Sequence, residues 1–338
     1  MRARVYSLYS LLIAVNLGAW ALALLTFRSH PVLLGTALLA FTFGLRHAVD
    51  ADHICAIDNV TRKLMQDRRR PIGVGFFFSL GHSTVVVALT LVIAISAGAV
   101  KGHLPALERL GALVGTSLSA AFLLLVAAIN LVVLLDIFAA FGRARSGEAI
   151  DDASLGTMLE QRGLLGRFFK PLLKLVDRSW KMYPIGLLFG LGFDTATEVA
   201  LLGIAAVEAG KGVPVFAILI FPLLFTAGMS LIDTTDGIVM VGAYGWAFVK
   251  PMRKLYYNLV VTLVSVLVAV IVGAIEAASV VANRLQLDGG MWDAIRRVNE
   301  NFGTLGFIII GLFVASWLVS VAVYKLMRYD EVRFILPS

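Results

Sequence analysis

Cysteine is almost absent from this sequence: one residue, Cys55, stands in 338. A single thiol forbids an intrachain disulfide and leaves no CxxC pair, so any metal chemistry must rest on imidazole and carboxylate. Cys55 itself reads as a small apolar helix residue. Charge is scarce as well. Asp, Glu, Lys and Arg make up 15% of the chain, 59% is hydrophobic, and the mean hydropathy is +0.88. That balance excludes a soluble domain of this length and makes a lipid bilayer the natural solvent. There is no HExxH stretch and no separate catalytic nucleophile. The formal charge of +7 would suggest nucleic acid only if the charges clustered. They fall instead in alternate hydrophilic gaps, as in the cytoplasmic loops of a membrane protein, so no nucleic-acid partner is expected.

What is present is a series of long apolar runs. Crossing about 30 Å of hydrocarbon takes about 20 helical residues. Runs of that length fall near 8–27, 32–57, 72–98, 112–141, 184–208, 214–248, 255–283 and 302–327. The expectation is an all-α bundle of eight transmembrane helices forming one membrane domain over 1–338. The first run is read as a retained helix rather than a cleaved signal, because it is long and no small-residue cleavage site follows. Pro222, Gly228, Gly237 and Gly242 predict a kink or interruption in the sixth run. With the N-terminus inside, 21 of the 29 basic residues lie in the inner gaps, which places both termini in the cytoplasm of a multi-pass protein of the cytoplasmic membrane. Residues 142–182 read as a cytoplasmic linker with short surface helices.

The second and fifth runs share a pattern. Phe43-Gly44-Leu45 matches Phe189-Gly190-Leu191 at an offset of 146, and Phe78-Ser79-Leu80-Gly81-His82-Ser83 matches Phe225-Thr226-Ala227-Gly228-Met229-Ser230 at 147. The offset covers three spans, an odd number, so the repeat of spans 2–4 by spans 5–7 is inverted. Inverted repeats place a substrate site near the membrane midplane, where the halves meet.

Ionisable groups inside these runs each cost about 2.5–3.5 kcal/mol at a helix centre on insertion scales, so each needs a reason. The second run carries Arg46, His47, Asp50, Asp52, His53 and Asp58; the third carries His82; the fifth carries Asp194 and Glu198; the sixth carries Asp233 and Asp236. Two imidazoles and two carboxylates within RHAVDADH suit a divalent first-row transition ion. On an ideal helix His47 and Asp50 share a face, whereas Asp52 and His53 lie about 140° and 240° from His47. One undistorted helix therefore cannot aim all four at one ion. Either it unwinds here, or part of the set orients the ligands. Arg46, one turn from Asp50, is placed to neutralise it.

His82 follows Gly81, where glycine permits close helix approach, and can then meet the first cluster with Ser83 and Thr84 beside it. Asp194 and Glu198, spaced i, i+4, share a face with Thr195 and Thr197 at hand. They suit an acidic vestibule or a coupling proton. Asp233 and Asp236 can serve similarly, or simply satisfy a broken helix. His30 and His103 fall in outer loops, and Asn130, Asp136 and Glu276 are left without a role.

RHAVDADHI from Arg46, FFFSLGHSTVV from Phe76, LGFDTATE from Leu191 and GMSLIDTTD from Gly228 together resemble the four motifs of the nickel/cobalt transporter family. The resemblance covers most of the chain. It implies an eight-helix permease for Ni²⁺ or Co²⁺, with His47, Asp52, His53 and His82 at the metal-handling positions. The ion would be substrate, no cofactor is implied, and no obligate protein partner is expected. The related efflux branch often has a histidine-rich loop. Residues 142–182 contain no histidine, which favours uptake. The alternative is a membrane enzyme, because His47-x4-Asp52 also has the spacing of an acyltransferase box.

Overall fold

The computed structural model of the chain describes residues 2–67, 69–95, 104–145, 176–191, 196–247 and 251–326. Asp194, Thr195, His103 and most of the 142–182 segment lie outside the described residues. Among the described residues the regular structure is helical: α1 Arg2–Phe27, α2 Pro31–His47, α3 Ala51–Gln66, α4 Val74–Ile95 and α5 Leu104–Arg145. A single 3₁₀ turn, Ser179–Lys181, leads into α6 Met182–Gly190. Then come α7 Ala196–Gly210, α8 Val215–Ile218, α9 Ile220–Ala247, α10 Pro251–Leu285, α11 Gly290–Glu300 and α12 Phe302–Leu326.

Among the described residues four stretches are long and apolar enough to cross a membrane: Arg2–Phe27, Val74–Ile95, Val215–Gly245 and Leu259–Leu285. The number rises to six if each of two bent helix pairs makes one span. The outside carries large bare hydrophobics such as Leu25, Val32 and Phe138, which water would not tolerate in such number. Two apolar cores lie within. One joins α1, α2, α4, α7 and α9 through Phe27, Phe221 and Phe225; the other joins α3, α4, α6, α10 and α12 through Ile57, Phe78 and Phe189.

The second apolar run does not continue as one helix. It bends by 50° between α2 and α3. Ala48 to Asp50 tighten into a turn, with Val49 N–H donating to Arg46 O and Asp50 N–H to His47 O, and Asp50 turns extended at φ −64°, ψ 148°. Beyond the bend every residue from Ala51 to Leu64 is buried, although the stretch includes Asp52, His53, Asp58, Asn59, Arg62 and Lys63. A helix this polar and buried on all sides is enclosed by other helices, not by lipid.

The sixth run is interrupted once, at Leu219 between α8 and α9, just ahead of Pro222. Helix α9 passes unbroken through Pro222, Gly228, Gly237 and Gly242. Pro222 falls in its first turn, where a missing N–H is harmless, and Gly228 serves packing: a Cβ there would lie 2.8 Å from Phe41 O. Small residues allow membrane helices to close in this way. Close crossings join α2 to α9 at Gly44, whose Cβ would come within 2.1 Å of Phe225 O, and α4 to α6 at Gly81, within 2.0 Å of Tyr183 O. Gly44→Ala and Gly81→Ala should therefore lower thermal stability in detergent by about 1–3 kcal/mol each through overpacking. Gly18→Ala and Gly242→Ala, with nothing within 4 Å, should leave the melting temperature unmoved.

Candidate metal centre

The bend in the second run and the two glycine crossings bring three histidines together. His47 closes α2, His53 sits in the first turn of α3, and His82 follows Gly81 on α4. The ring centroids of His47 lie 4.6 Å from His53 and 4.8 Å from His82, and those of His53 and His82 are 5.0 Å apart. One nitrogen from each ring lies within 4.8 Å of the others, with all three residues buried. The bend is what makes this possible, since it re-aims His53 through the angle that a straight helix would have turned it away.

Each ring is oriented by a carboxylate. His47 Nδ1 lies 3.0 Å from Asp50 Oδ2 and 3.3 Å from Thr197 Oγ1. Its Nδ1–H donates to Asp50, which leaves the Nε2 lone pair facing His82 Nε2 at 3.0 Å. His53 Nδ1 is 3.3 Å from both oxygens of Asp233 on α9, and its Nε2 has no hydrogen-bond partner among the described residues. His82 points the same nitrogen at the others and meets Glu198 Oε1 of α7 at 2.7 Å, while that oxygen lies 3.8 Å from His47 Nε2. A divalent ion could take the inward nitrogens and the Glu198 oxygen together, displacing the proton between His82 and Glu198. Borderline imidazole donors with one hard oxygen form the set that nickel, cobalt or zinc prefers.

The other predicted positions fall at graded distances. Asp52 is buried within electrostatic reach of His47 but stands outside the close-set trio. Ser83 is buried, and its hydroxyl has no hydrogen-bond partner among the described residues. Thr84 is exposed on the far side of α4, where it donates to Leu80 O and meets Tyr183 OH. Asp236 lies one turn beyond Asp233 with a buried oxygen unbonded among the described residues. Arg46 does not neutralise Asp50: it is exposed, and Asp50 pairs with His47 instead. The reason is the bend, which ends α2 at His47 and puts Asp50 outside the helical turn that Arg46 would have shared.

Two basic residues counted with a cytoplasmic loop belong to the interior. Arg62 is 0% exposed and Lys63 7%, because α3 runs on to Gln66. Asp58 is held by the hydroxyls of Tyr244 and Ser265. The Asp58 to Arg62 spacing of one helical turn was the available signal. Asn130 donates to Asn59, and Glu276 accepts from Ser119. His30 is exposed beside Ser29.

Long apolar helices around a buried histidine and carboxylate cluster define a multi-pass membrane protein. The NicO family model, described as high-affinity nickel-transport protein, matches residues 33–323, and the chain belongs to that family. It is 57% identical over 330 residues to the high-affinity nickel transport protein of Cupriavidus necator, covering 98% of this chain and 94% of that one. It is 43% identical over 317 residues to the high-affinity nickel-transport protein NixA of Helicobacter pylori strain 26695, covering 92% and 95%. It is 41% identical over 288 residues to the cobalt transport protein NhlF of Rhodococcus rhodochrous, covering 84% and 81%. No solved structure matches the chain. Family membership sets the acyltransferase reading of His47-x4-Asp52 aside, since the family and these relatives are transporters.

Proposed function

We propose that this protein carries Ni²⁺ or Co²⁺ with high affinity inward across the cytoplasmic membrane, holding the ion at His47, His53 and His82. The observation that carries the reading is the convergence of three buried imidazoles from three helices, together with relatives named for nickel and for cobalt. Glu198 is the acid best placed to complete the site, at 2.7 Å from His82 Nε2; Asp52, expected as a ligand, serves the approach. Asp50 and Asp233 aim His47 and His53, while Ser83, Asp236, Asp194 and Thr195 belong to the path. The three carboxylates nearest the rings supply the negative charge that a desolvated dication requires.

The same proposal takes the chain as one transmembrane domain of eight spans over 1–338, with both termini cytoplasmic, 142–182 as the linker, and spans 2–4 repeated in inverted form by spans 5–7. The crossings support the repeat. Gly44 of the second span packs on the sixth and Gly190 of the fifth packs on the third, at positions related by the 146 offset. Gly81 and Gly228, related by 147, make the reciprocal contacts on Tyr183 and Phe41. Each half thus lends its first helix to the second helix of the other, around the histidines.

An inward-negative potential contributes about 2.3 kcal/mol per charge per 100 mV, twice that for a dication. The absence of histidine from 142–182 supports uptake rather than efflux. The test is radiolabelled nickel uptake into vesicles reconstituted with the purified protein. Uptake should saturate, rise with an imposed inside-negative potential and be competed by cobalt but not by magnesium. Vesicles that accumulate no more nickel than protein-free ones would reject the proposal.

A further inference from the structure

Below the histidines, towards the Gln66 end of α3, lies a second buried polar cluster that metal binding does not use. Asp58, Asn59 and Arg62 of α3 are each no more than 1% exposed. Asp58 accepts from Tyr244 of α9 and from Ser265 of α10, the latter at 2.7 Å. Arg62 donates from one terminal nitrogen to Thr262 of α10 at 3.1 Å and from the other to Asn59 at 2.9 Å, and Asn59 accepts in turn from Asn130 of α5 at 2.7 Å. Side-chain hydrogen bonds join four helices here. Apolar residues would pack such a crossing at lower desolvation cost, so its polarity calls for a reason other than adhesion.

We infer that this cluster is the gate between the three-histidine site and the side of the membrane towards which the Gln66 end of α3 points. The inference rests on the metal-site reading above. Two features carry it. Arg62 stands nine residues beyond His53 on the same helix, about 13 Å along it, and a fixed positive charge beside the path is a barrier that a dication crosses only when the guanidinium moves. Helix α9 also carries both holds on α3: Asp233 on His53 and, eleven residues later on the same face, Tyr244 on Asp58. A shift of α9 that frees His53 also withdraws Tyr244 from Asp58 and leaves only the Ser265 hydroxyl on it, which ties the loading of the site to the loosening of the gate.

Cys55, the chain's one cysteine, supplies a reporter. It is 1% exposed, between His53 and Asp58, within electrostatic reach of Asp58, Asp52, Glu276 and Asp236. In reconstituted vesicles without metal, N-ethylmaleimide should modify it slowly. Tyr244→Phe with Ser265→Ala deletes the two hydroxyls on Asp58 and keeps the packing; Thr262→Val removes the Arg62 acceptor on its own. Each should speed modification by about tenfold, the population change that lost buried hydrogen bonds produce. Nickel affinity of the purified protein should stay within about twofold, since no group near the rings changes. Nickel equilibration across the vesicle wall should be faster. Unchanged labelling and flux in both variants would overturn the gate, as would loss of nickel binding and melting temperature in parallel, the mark of a structural role. The labelling is read without metal, so a failure of the histidine site, seen as unaltered nickel binding in His82→Gln, is distinguished from a failure of the gate.

Discussion

His82→Gln and His82→Ala are both expected to abolish nickel transport, and only the alanine variant is expected to melt early. His82 Nε2 sits 3.0 Å from His47 Nε2 and 2.7 Å from Glu198 Oε1, so it is the nitrogen around which the other donors gather. Losing it should weaken nickel binding by about 100-fold or more, equivalent to about 2.8 kcal/mol. Alanine also removes the His82 donor from the Glu198 carboxylate, 1% exposed, and opens a cavity among Phe78, His47 and His53. Both effects destabilise. Glutamine keeps an N–H within reach of Glu198 but has no imidazole. Calorimetric titration of nickel into detergent-solubilised protein, beside a thermal melt, separates the two. A glutamine variant that binds nickel within about threefold of the unaltered protein, a difference too small for a lost ligand, would remove His82 from the site.

The motifs were legible because their chemistry is improbable in lipid: RHAVDADH, Gly81-His82 and the acid pairs each break an apolar run. The sequence also posed the right difficulty at His47 and His53, since helical geometry forbade a straight helix from aiming both. It did not say that the helix would bend rather than turn one histidine away, because the bend is stabilised from outside, by α9 through Gly44 and Asp233. Helix α3 was the least legible element. Its Arg62 and Lys63 look like the end of a span on composition, and only the burial of their side chains against α10 and the backbone at Val176 shows otherwise. Glu198 was visible as an intramembrane acid, but its partner, 116 residues away on α4, is a tertiary fact. Gly228 of α9 misled for the opposite reason: a residue that breaks helices in water serves close packing in this bundle.

Asp233→Asn and Asp50→Asn should each reduce nickel affinity by about 10–100-fold, the usual cost of losing a partner that orients a ligating histidine. The two acids do the same task from different places. Asp233 reaches His53 from α9, 180 residues away, whereas Asp50 holds His47 three residues back along its own chain. Asp50 stands at the N-cap of α3, where an aspartate ordinarily accepts from the free N–H groups of the first turn. Its side chain makes no such bond and turns to His47 Nδ1 instead, so the helix start gives up its cap for the orientation of an imidazole. Asparagine can still accept from either Nδ1–H but carries no charge, and the loss should therefore fall on the bound dication more than on the fold. Melting temperatures of the metal-free variants should stay close to that of the unaltered protein. On the proposed site the acids orient separate rings around one ion, so the double variant should bind nickel more weakly than either single variant, by about 100-fold or more. A double variant no weaker than either single one would show that the two carboxylates do not aim two ligands at a common ion.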